Sequence, residues 1–539
     1  MKNSYITTPI YYVNDAPHIG HAYTSTVSDI LARLRRLNNN NVLFLTGTDE
    51  HGQKVEKSAL KKSKTPLDFC NEISLKFKDL SSFLDISNDD FIRTTQDRHK
   101  KTASFFWKEL ENNGWIYKDI YEGWYSIRDE AFYSKDELVD GKAPTGAEVE
   151  WHKEESYFFK LSAFQDILLK IYNEIDGFVC PKSKNKEVIS FVKGGKEYKK
   201  DALKDLSISR TSFNWGVKVP GDEKHVMYVW LDALTNYLSA LKYPQGEEYN
   251  QFWNNSSNNV EKIHIVGKDI LRFHCVYWPA FLIASKFNLK QLQNIKISDV
   301  RKILPSKIFA HGWWTNEGQK ISKSIGNVID PMAEIEWLKS FEIDEDLAID
   351  YFRYFLSKEV SFGSDGNYSR DSLINRINSE LANNIGNLCQ RTLSMIFKNN
   401  SAELVYNDDI VDQDSKNLLQ SASNINKNIS FDIDNCDIDK ILSDIINLSS
   451  LANEYLHKKA PWSLKKEGKI DEMNNVLYVS VQIIKVTAII LLAFTPKSAN
   501  KILDYLDIDL DSRNFNNISE YLPSGHKIKE PKPVFIRLK

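Results

Sequence analysis

The order of the first 60 residues, strand then turn then helix then strand, constrains the fold more than any other feature of the chain. Residues 4–13 (SYITTPIYYV) are β-branched and aromatic, and Asn14-Asp15-Ala16-Pro17 is turn chemistry. Over residues 18–37, Ile19, Ala22, Val27, Ile30, Leu31 and Leu34 fall at helical spacing. Residues 42–45 then read as a short buried strand, with Gly47 just beyond its end. A strand that returns through one helix to a second strand begins a right-handed parallel α/β unit.

The pattern returns late in the chain. Residues 227–230, 264–266 and 307–309 read as further short apolar strands. Between the two halves, residues 117–220 hold aromatic-rich short strands, glycine turns and one amphipathic helix near 161–175, as expected of an insertion splitting one sheet. From about Asn375 onward long amphipathic helices take over, separated by Asn/Asp/Ser loops. One stretch, 478–494, is apolar enough to raise a membrane span. Gln482 and Lys485 interrupt it and Pro496 ends it, so a buried helix of an all-helical domain is expected and no membrane contact.

Composition excludes several classes. At roughly 150 residues per domain, 539 residues make three or four domains. Seventy Lys and Arg against 73 Asp and Glu leave a net charge of −3, which excludes a blanket polycation but not a local basic surface. The five cysteines stand singly with no CxxC, which argues against a disulfide framework and a thiolate zinc site; a reduced, cytoplasmic setting is expected. The N-terminus lacks the charged-apolar-small order of a signal peptide.

Two motifs carry chemistry. Pro17-His18-Ile19-Gly20-His21 sits where the first strand turns into the first helix, and a helix N-terminus offers free N–H groups and partial positive charge to a phosphate. His18 and His21, three apart, share one face, and Gly20 leaves room for a nucleotide against the backbone. Lys320-Ile321-Ser322-Lys323-Ser324, between Gly318 and Gly326, is a cationic hydroxyl-rich loop suited to triphosphate charge. Each alone has an ordinary surface reading. Paired about 300 residues apart in a split α/β framework, they resemble the signature of class I aminoacyl-tRNA synthetases. TTPIYYVN (7–14), GTDEHG (47–52), WLDALTNY (230–237), GKDILRFH (267–274) and YWP (277–279) narrow the resemblance to methionyl-tRNA synthetases of the short bacterial and mitochondrial type. It covers the chain from Tyr5 to beyond Trp462.

The resemblance implies an α/β Rossmann-type catalytic domain split by a connective insertion, followed by an all-α anticodon-binding helical bundle. It divides the chain into 1–116 and 221–325 for the two catalytic halves, with the KISKS loop in the second. The connective insertion takes 117–220, a linking stem-contact region 326–375, the helical domain 376–515 and a C-terminal tail 516–539. It implies activation of L-methionine by ATP with Mg²⁺, then transfer to the 3′ end of tRNA(Met). His18, Gly20, His21, Gly267, Asp269 and Lys323 would meet ATP, with His18, His21, Lys320 and Lys323 acting on its phosphates. Ile10, Tyr12, Trp230, Ala233, Leu234, Tyr237, His274 and Trp278 match family positions around the thioether, and Asp49 would accept the α-ammonium. Asn387, Arg391 and Trp462 match the anticodon readers, an amide, a guanidinium and a stacking ring suited to splayed bases. Lys458, Lys459, Lys465 and Lys466 around that Trp are expected to add phosphate-binding charge.

Two departures shape the expectation. Many relatives carry cysteine knuckles in the insertion; here that stretch offers only His152, so no zinc is expected. The chain stops at Lys539 without the appended tRNA-binding and dimerising module of longer relatives, so a monomer is expected. An apolar pocket separates neighbouring substrates by only about 1–3 kcal/mol per methylene, so homocysteine is expected to be activated and then lost by cyclisation of its adenylate. The competing readings are another class I synthetase, a nucleotidylyltransferase and an inactive tRNA-binding paralogue. The first would be longer with an editing domain, or in the cysteinyl case would need zinc ligands in its pocket. The second has no use for the helical half, and intact His18, His21 and Lys323 argue against the third.

Overall fold

In the computed structural model, which describes residues 2–128, 131–133, 135–254, 260–320 and 326–539, the core is a parallel sheet. Across it the strands run Asp90–Arg93, Asn41–Asp49, Asn3–Thr7, Val260–Gly267, Lys307–His311 and Val179–Cys180, with the short Tyr11–Tyr12 beside the far end of Asn41–Asp49. The expected first strand is thus two pieces, broken around Pro9. Register sets Tyr5 between Leu43 and Lys262, and Ile265 beside Phe309. Alternation sends Ile6, Phe44, Ile263 and Ile265 to one face and Tyr5, Leu45 and Val266 to the other, and each face meets its own buried cluster. A parallel sheet covered on both sides follows. Strand order reverses between Asn3–Thr7 and Val260–Gly267, and such a switch point opens a crevice at the carboxyl ends.

Three parts depart from the sequence expectation. Residues 227–230 do not form a strand of the main sheet. Asp222–Met227 pairs antiparallel with Ser209–Arg210 and Lys218–Val219, and Trp230 lies in the first turn of the short helix Val229–Leu234. A short apolar run fits a buried helix turn as well as a strand, and periodicity alone does not separate them. Within 117–220, an antiparallel sheet is built on Ile116–Ser126 and Glu150–Phe159, but Gln165–Glu174, Val179–Cys180 and Lys182–Lys193 return to the edge of the main sheet. Helices also begin before residue 375, with Pro331–Lys339, Glu345–Lys358 and Arg370–Arg376.

The helical half is continuous with the catalytic core: one apolar cluster runs from Ile6 and Ile30 through Phe352 and Phe355 to Ile484 and Leu491. Helix Ile470–Leu491 is long and apolar enough to span a membrane, yet all of its residues from Met473 on are buried by neighbouring helices. Its polar interruptions are satisfied by the C-terminal segment. Gln482 exchanges hydrogen bonds with Leu522, and the Lys485 ammonium donates to the carbonyls of Asn517 and Glu520. That segment is strapped down again where Ile536 pairs with the Tyr351 hydroxyl and Leu538 with Asn378. Burial without partners would be costly for each of these groups.

Candidate functional site

A cavity of about 560 Å³ opens at the carboxyl ends of the strands. One wall is the start of helix Ile19–Leu37, where His18 is the N-cap. Nδ1 of His18 accepts the Gly20 N–H at 3.0 Å, and Nδ1 of His21 accepts the His18 N–H at 3.1 Å. Both Nδ1 atoms are acceptors, so each neutral ring carries its proton on Nε2 and presents a donor. Burial lowers the pKa of both rings, and His18 pushes His21 lower still. The ring centroids lie 4.0 Å apart. Gly20 has a second duty here: a Cβ would come within 2.9 Å of the His18 ring and displace the cap.

The apolar end of the cavity is lined by Ile10, Tyr12, Trp230, Ala233, Leu234, Tyr237 and His274, with Asp49 on the same lining. Trp230 lies flat on Phe273, centroids 3.4 Å apart. His274 occupies a π-helical turn, Phe273–Tyr277, a local widening that functional sites use often. Its Nδ1 faces the Ile270 carbonyl at 3.0 Å and its Nε2 faces the Tyr237 hydroxyl at 2.8 Å. One tautomer satisfies both: Nδ1–H donates to the carbonyl and Nε2 accepts from Tyr237. The two polar groups are turned on each other, and the end they close suits an uncharged guest. Trp278 departs from the expectation, because it does not line the cavity. It is fully buried behind Tyr237, 5.9 Å between centroids, and donates to His264 Nε2 at 3.3 Å.

Gly267 and Asp269 line the opposite side. A Cβ at Gly267 would meet Asp269 Oδ1 at 2.5 Å, and that oxygen accepts the Trp313 indole N–H at 3.2 Å. Lys268 is drawn away to Asp365 at 2.7 Å. Sequence reasoning missed His311, Gly312 and Trp313, which complete this wall, and Arg128, which reaches it from the insertion. His-Gly where a parallel strand ends, beside the strand that ends in Gly267, is the available signal for the first two. Lys320 ends the hairpin strand Gln319–Lys320, which pairs with Trp314–Asn316 on the cavity rim. Glu317 and Gly318 both take positive φ at its turn, as a tight hairpin needs. Lys323 and the rest of the KISKS loop from residue 321 to 325 lie outside the described residues.

In the helical half, Asn387 and Arg391 rise from helix Asn387–Asn399, and the Arg391 guanidinium sits 4.6 Å over the Trp462 ring. Ala460, in left-handed conformation (φ 45°), breaks the chain between helix Ile438–Lys459 and Pro461 and so aims Trp462. Asn387 donates to Asn453 at 3.2 Å, and Asn383, Asn384 and His457 share this surface hollow. Of the four lysines expected to form a basic patch around Trp462, two are neutralised by carboxylates. Lys458 and Lys459 pair with Asp414 at 2.8 Å, Lys459 also with Asp412, and Lys465 bonds Asn399.

The buried imidazoles make stability pH-dependent. Burial pushes His274 down to about 4, against roughly 6.5 for a free ring. The folded ring binds a proton less readily than the unfolded one, so its contribution is complete above pH 6.5 and lost as pH falls toward 4, about 3 kcal/mol in all. His18, His21, His264 and His311 shift in the same direction, each chiefly through burial. Thermal unfolding followed from pH 7 to pH 4 should show Tm falling throughout that window. His274→Gln should flatten the fall; an unchanged slope would remove His274 from the account.

The family described as class I tRNA synthetases (M) matches residues 4–150 and 144–393, and the anticodon binding domain of methionyl tRNA ligase matches 408–539. The chain is 52% identical to the methionine–tRNA ligase of Rickettsia conorii, over 99% of both chains. It is 44% identical to that of Rhizobium meliloti, over 99% of this chain and 98% of the relative. Among solved structures, Mycobacterium tuberculosis methionyl-tRNA synthetase in complex with methionyl-adenylate superposes with a TM-score of 0.89 at 40% identity, covering 100% of both chains.

Proposed function

The chain belongs to the methionyl-tRNA synthetases, and on that premise we propose how its two sites divide the work. The enzyme activates methionine with ATP to methionyl-adenylate and pyrophosphate, then transfers methionine to the 3′ end of tRNA(Met). In the first step a carboxylate oxygen of methionine forms a bond to the α-phosphorus while the bond to pyrophosphate breaks. The nucleophile is already charged, so no base is needed, and catalysis is positioning plus stabilisation of phosphate charge.

The reading rests on one observation: a pair of neutral Nε2–H donors at a helix start and a closed apolar end share one cavity. His18 and His21 donate to phosphate oxygens, and Lys320 and Lys323 cover the leaving pyrophosphate. Gly267 and Asp269 face the nucleoside. Asp49 takes the α-ammonium, and Ile10, Tyr12, Trp230, Ala233, Leu234, Tyr237 and His274 enclose the thioether. Mg²⁺ accompanies ATP: Asp49 and Asp269 are the carboxylates on the described lining, too few for an all-protein site but suited to an ion held mainly by phosphates. It would neutralise phosphate charge. No structural zinc is proposed. Among the described residues the grouped ligand atoms are those of Glu155, Asp222 and His225, and both carboxylates are already engaged by the Lys118 ammonium at 2.8 Å.

Asn387, Arg391 and Trp462 read the anticodon, and with Lys458 and Lys459 neutralised the reading depends on stacking and base-edge bonds more than on phosphate charge. Trp462→Ala should therefore raise the KM for tRNA(Met) in methionylation by about tenfold or more, at roughly 1–3 kcal/mol per stacked base. Tested alongside in pyrophosphate exchange without tRNA, it should match the parent. Equal losses in both assays would contradict the division of labour. Both sites are built within one chain, which supports action as a monomer. The buried helix Ile470–Leu491 and five unbridged cysteines support a cytoplasmic enzyme without a membrane partner.

A further inference from the structure

Helix Val229–Leu234 carries a carboxylate that the reaction does not touch. Trp230, Ala233 and Leu234 line the cavity, whereas Asp232 between them is fully buried behind it. Its Oδ2 lies 2.6 Å from Nδ1 of His51 and its Oδ1 lies 2.6 Å from Nε2 of His99. Both rings are buried, at 2% and 0% exposure. Burial works against the charge on Asp232, yet the two imidazoles hold its carboxyl far below the usual range. Each histidine belongs to a different part of the frame. His51 follows the strand Asn41–Asp49 by two residues, and that strand end is fixed because neighbouring Glu50 is gripped by Arg93 at 2.6 Å and by Thr95 at 2.5 Å. His99 lies in helix Asp97–Asn112, where Ser239 approaches its other nitrogen at 3.0 Å.

We propose that the His51–Asp232–His99 clamp positions the two ends of the amino-acid subsite against each other and so measures side-chain length. At one end stands Asp49, two residues before His51; at the other stands the wall Trp230, Ala233 and Leu234, which flanks Asp232. The proposal rests on methionine occupying the cavity as read above. A clamp that loses one donor leaves a buried carboxylate half satisfied and frees the helix to shift, and small displacements in a pocket are felt both in affinity and in discrimination between homologues. The nucleotide side is built on a separate set of residues, 18–21, 267–269 and 311–313.

The test is pyrophosphate exchange with L-methionine and with its S-ethyl homologue, one methylene longer. His51→Ala and His99→Ala should raise the KM for methionine on the order of tenfold and narrow the preference over the homologue similarly, leaving the KM for ATP within about twofold. His51→Asn returns an N–H near the Nδ1 position and His99→Gln one near Nε2, so each should recover most of the loss. Equal shifts in the KM for methionine and ATP, an unchanged preference, or no difference between conservative and alanine variants would overturn the clamp. Should the alanine variants not fold, His51→Gln, which moves the donor by one bond, must still raise the KM for methionine; parent behaviour there overturns it as well. Parent exchange driven by another amino acid would overturn the cavity assignment and the clamp together.

Discussion

His21→Ala should slow methionine-dependent pyrophosphate exchange on the order of 10²–10³-fold, the usual loss when one preorganised donor to a developing oxyanion is removed. The donor in question is Nε2–H, left free because Nδ1 is spent on the His18 backbone N–H at 3.1 Å. The same substitution removes half of the cap, which costs about 1 kcal/mol of helix stability. His21→Asn separates the two effects, since its side-chain oxygen can still accept the His18 N–H while nothing reaches the phosphates. The expected result is the full rate loss with Tm near the parent and little change in the KM for methionine. Folded His21→Asn enzyme with exchange within about tenfold of the parent would remove this residue from the chemistry.

The second large effect is on stability. Arg353 is fully buried between the catalytic and helical halves, bonding Asp29 at 2.7 Å and the carbonyls of Leu84, Ala493 and Phe494. Burial opposes charge on Asp29, but Arg33, Arg353 and the Ser87 hydrogen bonds outweigh it and hold the carboxyl at about 2. Arg353→Ala leaves that carboxylate and three carbonyls short of donors, so a loss of about 3–5 kcal/mol is expected in urea unfolding. Adding Asp29→Ala should cost less than the sum of the two single losses, because the two residues share one hydrogen bond that either single change already breaks. A loss under about 1 kcal/mol for Arg353→Ala would contradict the interface described here.

The residues that lay close in sequence to a recognisable turn or strand end were legible. His18, Gly20 and His21 follow one strand, Asp49 and Gly267 end two others, and parallel topology brings such ends together whatever lies between them. Asn387, Arg391 and Trp462 converge for a comparable reason, because four-residue spacing fixes one helix face and Ala460-Pro461 fixes the next turn. Depth was less legible. Trp278 belongs to a recognised motif, yet Tyr237 stands between it and the cavity, and a sequence gives no order of layers. The Lys458–Asp414 pairing joins residues 44 positions apart, so the lysine run read as free charge. Residues 227–230 read as a strand from sequence because a buried helix turn and a buried strand share one apolar pattern. The same blindness hid Asp232, whose partners His51 and His99 come from distant parts of the chain.

The central claim is that this cavity activates methionine, and pyrophosphate exchange across all twenty amino acids and homocysteine, without tRNA, tests it most directly. Exchange dominated by methionine and abolished by Lys323→Ala is the expected result. Exchange driven by leucine or isoleucine would keep the adenylation chemistry and contradict the pocket. No exchange with any amino acid, in folded protein that binds ATP, would contradict the account as a whole.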